Sequence, residues 1–181
     1  MQNSKKNSTI FSVREIAYLG LMAAAATVGR ILLQVIPNVQ PMTAIFLILT
    51  LQLGASRGVV VCLLSVLVTN LYMGMGVWTI AQLASYVCII CLVGILRQFH
   101  WYRQHLIIQI VVSVLAGFIY GFIISVISVQ IYGVTSFWVY YLQGLTFDML
   151  HAAGNGGFHW ILAPLFGKLF KKLENNEDRE N

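Results

Sequence analysis

The sequence predicts an all-α integral membrane protein, a six-transmembrane-helix bundle with both termini in the cytoplasm. Three observations predict it. With 59% hydrophobic and 9% charged residues among 181, and a mean hydropathy of +0.80, the chain has too little polar surface to clothe a water-soluble globule. Its apolar residues fall into runs that can be counted as six crossings. All but one of the eleven Lys and Arg residues then lie on one side: Lys5, Lys6 and Arg14 before the first run, Arg57 between the second and third, Arg97 and Arg103 between the fourth and fifth, and Lys168, Lys171, Lys172 and Arg179 after the sixth. The positive-inside bias makes that side cytoplasmic. Only Arg30 falls inside a run. The net charge of +5 thereby reflects topology and contact with anionic lipid, not a nucleic-acid partner.

The chain reads as a single transmembrane domain over 1–181, a helical bundle over about 10–172 with polar tails at 1–9 and 174–181. Run one, about Ile16 to Ile36, is long enough to span and stops at Pro37-Asn38-Val39-Gln40-Pro41, an outer turn because proline cannot continue a helix and restricts the residue before it. Run two, Met42 to Leu53, makes only about 18 Å of helix, short for a span. Gly54 to Gly58 turns the chain inside, and Val59 to Met73 returns it outward. The second outer loop, Gly74 to Thr79, has glycines for close approach and Trp78 for an interface or a ligand. Run four is Ile80 to Leu96. Run five, Leu106 to Ile131, carries Ser113, Gly117, Gly121 and Ser125 at four-residue spacing, a face for close helix packing. Run six extends from Phe137 to about Phe170, with a bend expected near Gly154 to Gly157 or Pro164, and the charged tail from Glu174 is expected to be disordered.

Several chemistries are excluded or disfavoured. Cys62, Cys88 and Cys91 all lie in apolar runs with no loop partner, so they read as small core residues rather than a disulfide or metal set. No phosphate-binding GxxxxGK[ST], HExxH or GxSxG occurs. No catalytic cofactor or metal is expected, and any active transport must draw its energy from a partner or an ion gradient.

The informative side chains are polar groups in or beside the outer halves of the runs, where burial is costly unless a partner, water or ligand satisfies them. They are Arg30, Asn38, Gln40, Asn70, Trp78, Thr79, Gln82, Tyr86, Tyr141, Asp148, His151 and Asn155. Asp148, His151 and Asn155 share one helix face. That strip reads either as ligand-facing or proton-handling, or as an internal hydrogen-bond network. Arg30 either pairs with Asp148 or meets ligand. Neutral amides, aromatics and just two buried charges suit a large, ringed substrate rich in neutral hydrogen-bonding groups. On the inner half of run one, Ala17, Gly20, Ala24 and Thr27 share a small-residue face, suited to packing within the chain or to docking on a partner membrane protein.

From Val13 to about Lys172, these features resemble the substrate-binding S components of energy-coupling-factor (ECF) vitamin transporters. The resemblance rests on the small-residue first helix, the turn Pro37 to Pro41 followed by Thr43, the loop Gly74 to Thr79 with Gln82, and Phe147-Asp148-Met149-Leu150-His151-Ala152-Ala153-Gly154-Asn155. It implies a six-helix subunit of an ABC-type importer in a bacterial plasma membrane, with the twelve polar and aromatic residues above around the vitamin. Its partners would be a transmembrane coupling subunit, docked on the face of Ala17, Gly20, Ala24 and Thr27, and two cytoplasmic ATPases. Within the family the chain looks most like the group for cobalamin and related corrinoids; pantothenate and queuosine-type bases are the other substrates to consider. Two readings from other classes stand beside it: an ion-coupled carrier using Asp148 and His151 as a proton site, and an intramembrane enzyme using the same pair as acid and base. The absence of an internal inverted repeat weighs against the first and the lack of a nucleophile beside His151 against the second.

Overall fold

The computed structural model describes the backbone of residues 11–180 and the side chains of residues 11–172. The segment 1–10 with Lys5 and Lys6, the side chain of Arg179, and Asn181 lie outside the described residues. Seven helices and no strand occur among the described residues: α1 (Val13–Leu32), α2 (Met42–Leu53), α3 (Ala55–Met73), α4 (Trp78–Leu96), α5 (His100–Gln104), α6 (Leu106–Tyr132) and α7 (Phe137–Glu180). Four of them, α1, α3, α4 and α6, are long and apolar enough to cross a membrane, which marks a membrane-embedded protein. The short α2 has 12 residues, and the 44 residues of α7 are diluted by polar side chains.

In lipid, apolar side chains gain little by leaving their surroundings, so helices associate through close packing and hydrogen bonds. The bundle follows that logic. Helices α6 and α7 meet where Gly117 admits the backbone of Ala152, Gly121 admits the carboxyl of Asp148, and the Ser113 hydroxyl donates to the Asn155 carbonyl at 3.3 Å. The packing face expected in run five is therefore real, and its glycines are positions where a β-carbon has no room. Helices α1 and α3 run parallel, tied by Arg57 Nε to Glu15 Oε1 at 2.7 Å, by Ser65 Oγ to the Ala23 carbonyl at 3.3 Å and by Arg30 Nη1 to Thr69 Oγ1 at 2.7 Å.

Helix α2 is the centre of the molecule. Ten of its 12 residues are buried, and it packs on α1, α3, α4, α6 and α7. Its shortness is no defect in that position, because protein rather than lipid surrounds it. The inner turn is tighter than the expected Gly54 to Gly58: Gly54 alone, at φ 99°, reverses the chain, and residues 55–58 already belong to α3. Only glycine takes that conformation without strain. Gly58 then lies against Thr50 and the Phe46 carbonyl, so the two helices touch from their first turn. Arg97 donates to the carbonyls of Leu51 at 2.8 Å and Gln52 at 3.2 Å, satisfying acceptors that the end of α2 would otherwise leave orphaned.

Three further expectations are revised. Helix α7, which carries Gly154 to Gly157 and Pro164 within its length, has a helical backbone to Glu180 in place of a disordered tail from Glu174. Extending a helix already nucleated by packing fixes one residue at a time, which Leu, Lys and Glu favour. Of the cysteines, Cys62 is buried as a core residue, but Cys88 and Cys91 are exposed on the outer surface of α4, all three being free thiols. Run one ends its helix at Leu32, and residues 33–36 already belong to the turn region.

Candidate functional site

At the end of the bundle opposite Gly54, the segment 33–41 folds inward over α2. Three contacts hold it there. Pro41 packs on Gly29 of α1, Val39 lies 3.3 Å from where a β-carbon on Gly154 of α7 would sit, and the Asn38 amide donates to the Phe147 carbonyl at 3.4 Å. Asn38 reaches this bond from φ 57°, a left-handed conformation that asparagine tolerates better than most residues. The two prolines therefore shape a strap whose amides border the interior.

Beneath and beside the strap are two chambers that share Asn38 and Tyr120 in their walls. The smaller, about 130 Å³, is bordered by Arg30 of α1, Gln34, Asn38 and Gln40 of the strap, Gln82 of α4 and His151 of α7. The larger, about 440 Å³, lies between α6 and α7 and reaches Trp78; Ser125, Ser128 and Tyr132 come from α6, and Tyr140, Gln143, Phe147 and Asp148 from α7. Trp78 is half exposed, with its ring over Gly76, whose lack of a side chain makes the placement possible.

The twelve residues expected at the site divide. Arg30, Asn38, Gln40, Gln82 and His151 meet in the small chamber, while Trp78 and Asp148 face the large one. The other five are placed elsewhere. Asn70 spends its amide donors on Thr79 Oγ1 at 3.0 Å and Gln82 Oε1 at 2.8 Å, so Asn70 and Thr79 clamp α3 to α4 and orient Gln82 from behind. Tyr86 is buried under the site, with its ring 4.6 Å from Tyr120 and 5.4 Å from Phe46. Tyr141 stacks on Phe137 at 5.8 Å and meets Phe122 edge-on; Tyr140, one residue earlier, has the helical phase that faces the chamber. Asn155 is fully buried below the chambers.

Arg30 and Asp148 are not an ion pair. Arg30 donates to Thr69, and the one salt bridge among the described side chains is Arg57 with Glu15. His151, 1% exposed, binds Thr43 Oγ1 through Nε2 at 2.8 Å and sets its ring edge-on to Tyr120 at 4.9 Å, while its Nδ1 has no partner. The strip continues further than the sequence reading took it. Both polar side-chain atoms of Asn155 and both ring nitrogens of His159 are buried without partners, on the α7 face that carries Asp148 and His151. Sequence reasoning passed over His159 and Tyr120. Their signal was present as helical spacing: His159 follows Asn155 by one turn, and Tyr120 lies on the packing face next to Gly121.

A second concavity differs in every respect. Gly20, Ala23, Ala24, Thr27 and Val28 of α1 with Leu64 and Val68 of α3 enclose an apolar groove of about 370 Å³ on the outside of the bundle. A β-carbon on Gly20 would meet nothing, and Ala17, one turn away, is exposed as well. The small residues of α1 thus grade from core to surface: Ala26 is fully buried, Ala23 is buried at the floor of the groove, and Ala17, Gly20 and Ala24 look outward. No group of three or more His, Cys, Asp or Glu able to hold a metal ion occurs among the described residues. Set against models of known protein families, curated proteins and solved structures, the chain matches none.

Proposed function

We propose that this chain is the ligand-capturing S component of an ECF-type vitamin importer in a bacterial plasma membrane. In this reading it makes six crossings with both termini in the cytoplasm, and it works with a transmembrane coupling subunit and two ATPases. One observation carries the reading: a polar, aromatic cavity occupies one end of the bundle, while an exposed small-residue groove lies on the outer side of α1 and α3. A capture subunit needs both, a site closed around a small molecule and a smooth face along which another helix can approach. The orientation draws support from Arg14, Arg57, Arg97 and Arg103, which all lie toward the end away from the chambers.

The chambers bear on ligand size. Volumes of about 130 and 440 Å³ are on the scale of a small acyclic or single-ring-system molecule, such as pantothenate or a queuosine-type base. A corrinoid, the substrate group the resemblance favours, is a macrocycle and requires the strap 33–41 and the loop 74–77 to open outward.

Reconstitution tests the proposal. The purified chain should bind its vitamin alone and accumulate it in vesicles only with the coupling subunit, the ATPases and ATP. Uphill uptake by the lone chain under a proton gradient would replace this reading with the carrier. That alternative has one observation on its side, the unpartnered polar atoms of His151, Asn155 and His159 in line on α7. Against it, Asp148 and His151 border different chambers and share no hydrogen bond.

A further inference from the structure

Two charged side chains, Arg30 and Asp148, border the chambers, and neither has a counter-charge among the described residues. Arg30 uses one guanidinium nitrogen on the neutral hydroxyl of Thr69, and no carboxylate lies within ion-pair reach among the described residues. A guanidinium carries five N–H donors in a planar fork, so most of its capacity remains for a planar acceptor. Around it the small chamber offers Gln34, Gln40, Gln82 and His151. Its volume of about 130 Å³ leaves room for a carboxylate-sized group beside the guanidinium.

The large chamber has the opposite character. Asp148 is 6% exposed, its carboxyl rests against Gly121, and none of the described hydrogen bonds ends on it. Four aromatic side chains line the chamber with it, Trp78 of α4, Tyr132 of α6, and Tyr140 and Phe147 of α7. An aromatic wall with a carboxylate at its base attracts a flat cation through both ring quadrupoles and charge. An unpaired charge in a low-dielectric site is unfavourable, and a ligand that supplies the missing partner removes that cost on binding.

We infer that the ligand is amphoteric: a planar, cationic or donor-rich ring against Asp148 and the aromatic wall of the large chamber, joined by a short arm to a carboxylate-like group at Arg30 in the small one. This inference rests on the chambers being the capture site proposed above. It narrows the substrate class to molecules with a cationic or donor-rich ring at one end and an anion at the other.

A matched set of probes tests it on the full-length protein in detergent or nanodiscs. The ω-carboxyalkyl pyridinium ions, with three to seven methylenes, carry both charges; the alkyl pyridinium and the ω-phenylalkanoate of the same lengths carry one each, and the ω-phenylalkanamide none. Calorimetry should show one optimal length at which the amphoteric probe binds at least about tenfold more tightly than either single-charge probe. Asp148→Asn should weaken the amphoteric and pyridinium probes and spare the phenylalkanoate, and Arg30→Gln should weaken the amphoteric probe and the phenylalkanoate and spare the pyridinium. Equal affinities across the four wild-type series would overturn the inference without requiring any variant to fold. So would loss of every probe, the neutral amide included, in variants whose thermal melting is unchanged. Pull-down of the coupling subunit, scored separately, distinguishes the two proposals: assembly without charge selectivity rejects the amphoteric ligand alone, and selectivity without assembly rejects the importer subunit alone.

Discussion

The two concavities are built on opposite principles. The chambers at one end are enclosed by side chains from α1, α4, α6 and α7, and the strap over them is held by Gly29, Gly154 and the Phe147 carbonyl. The groove on α1 and α3 consists chiefly of what is missing, the side chains of Gly20, Ala23 and Ala24. In the first region, polar atoms placed in a dry interior give directional recognition, because each must find a partner or remain costly. In the second, bare helix surface lets a neighbouring backbone come close, which is favourable in lipid and largely indifferent to chemistry. Polar specificity and smooth docking are therefore separable here, and substitutions should divide along the same line.

The largest effect should come from the helix pair that supports the chambers. Gly117→Leu forces a side chain into the backbone of Ala152 and should lower stability by about 3 kcal/mol, the upper range for overpacking. Thermal melting in detergent measures it, and an unchanged melt would mean that α6 and α7 are not locked at this point. Next comes the groove. Gly20→Trp should reduce capture of the coupling subunit by about tenfold or more while ligand affinity stays within about twofold of wild type, because Gly20 is exposed and a β-carbon there meets no atom of the bundle within 4 Å. A loss of ligand binding of the same size would break the separation between the two regions.

Trp78→Ala should show the converse pattern, with weaker ligand binding by about 1 kcal/mol, some fivefold, and normal assembly. Titration calorimetry with the vitamin identified from the purified protein gives the number; an unaltered affinity would leave Trp78 an interfacial anchor only. The smallest effect belongs to Asn155→Leu. Both polar atoms of Asn155 are buried and partnerless, so a side chain of similar shape should leave the melting temperature unchanged or slightly higher. A drop of several degrees would show that buried water completes a network along α7.

Much of this fold is legible one residue at a time. The apolar runs, the prolines at 37 and 41, and the glycines at 54, 74 and 117 mark helices, turns and close contacts through local rules of periodicity and backbone freedom. The site is legible only in outline. Of the twelve residues expected around the ligand, Arg30, Asn38, Gln40, Trp78, Gln82, Asp148 and His151 border the paired chambers. Tyr141 was expected with them and faces away, because one residue of helix is about 100° of rotation and the neighbour to which an aromatic turns is set by a different helix, here Phe122 of α6.

Composition and spacing by themselves determined that the chain is helical, apolar on its surface and marked by a polar strip on its last helix and a small-residue face on its first. Tertiary structure alone decided which polar groups are used up inside the protein and which remain for a ligand. Asn70 and Gln82 are chemically alike in sequence, yet one is a clamp with its donors spent and the other borders a chamber. It also decided that Arg30 takes Thr69 and not Asp148, and that α2, too short to face lipid, is the core. The physical reason is common to all three. Periodicity is a property of one helix, whereas satisfaction of a hydrogen bond, a charge or a buried surface depends on the register of several helices at once.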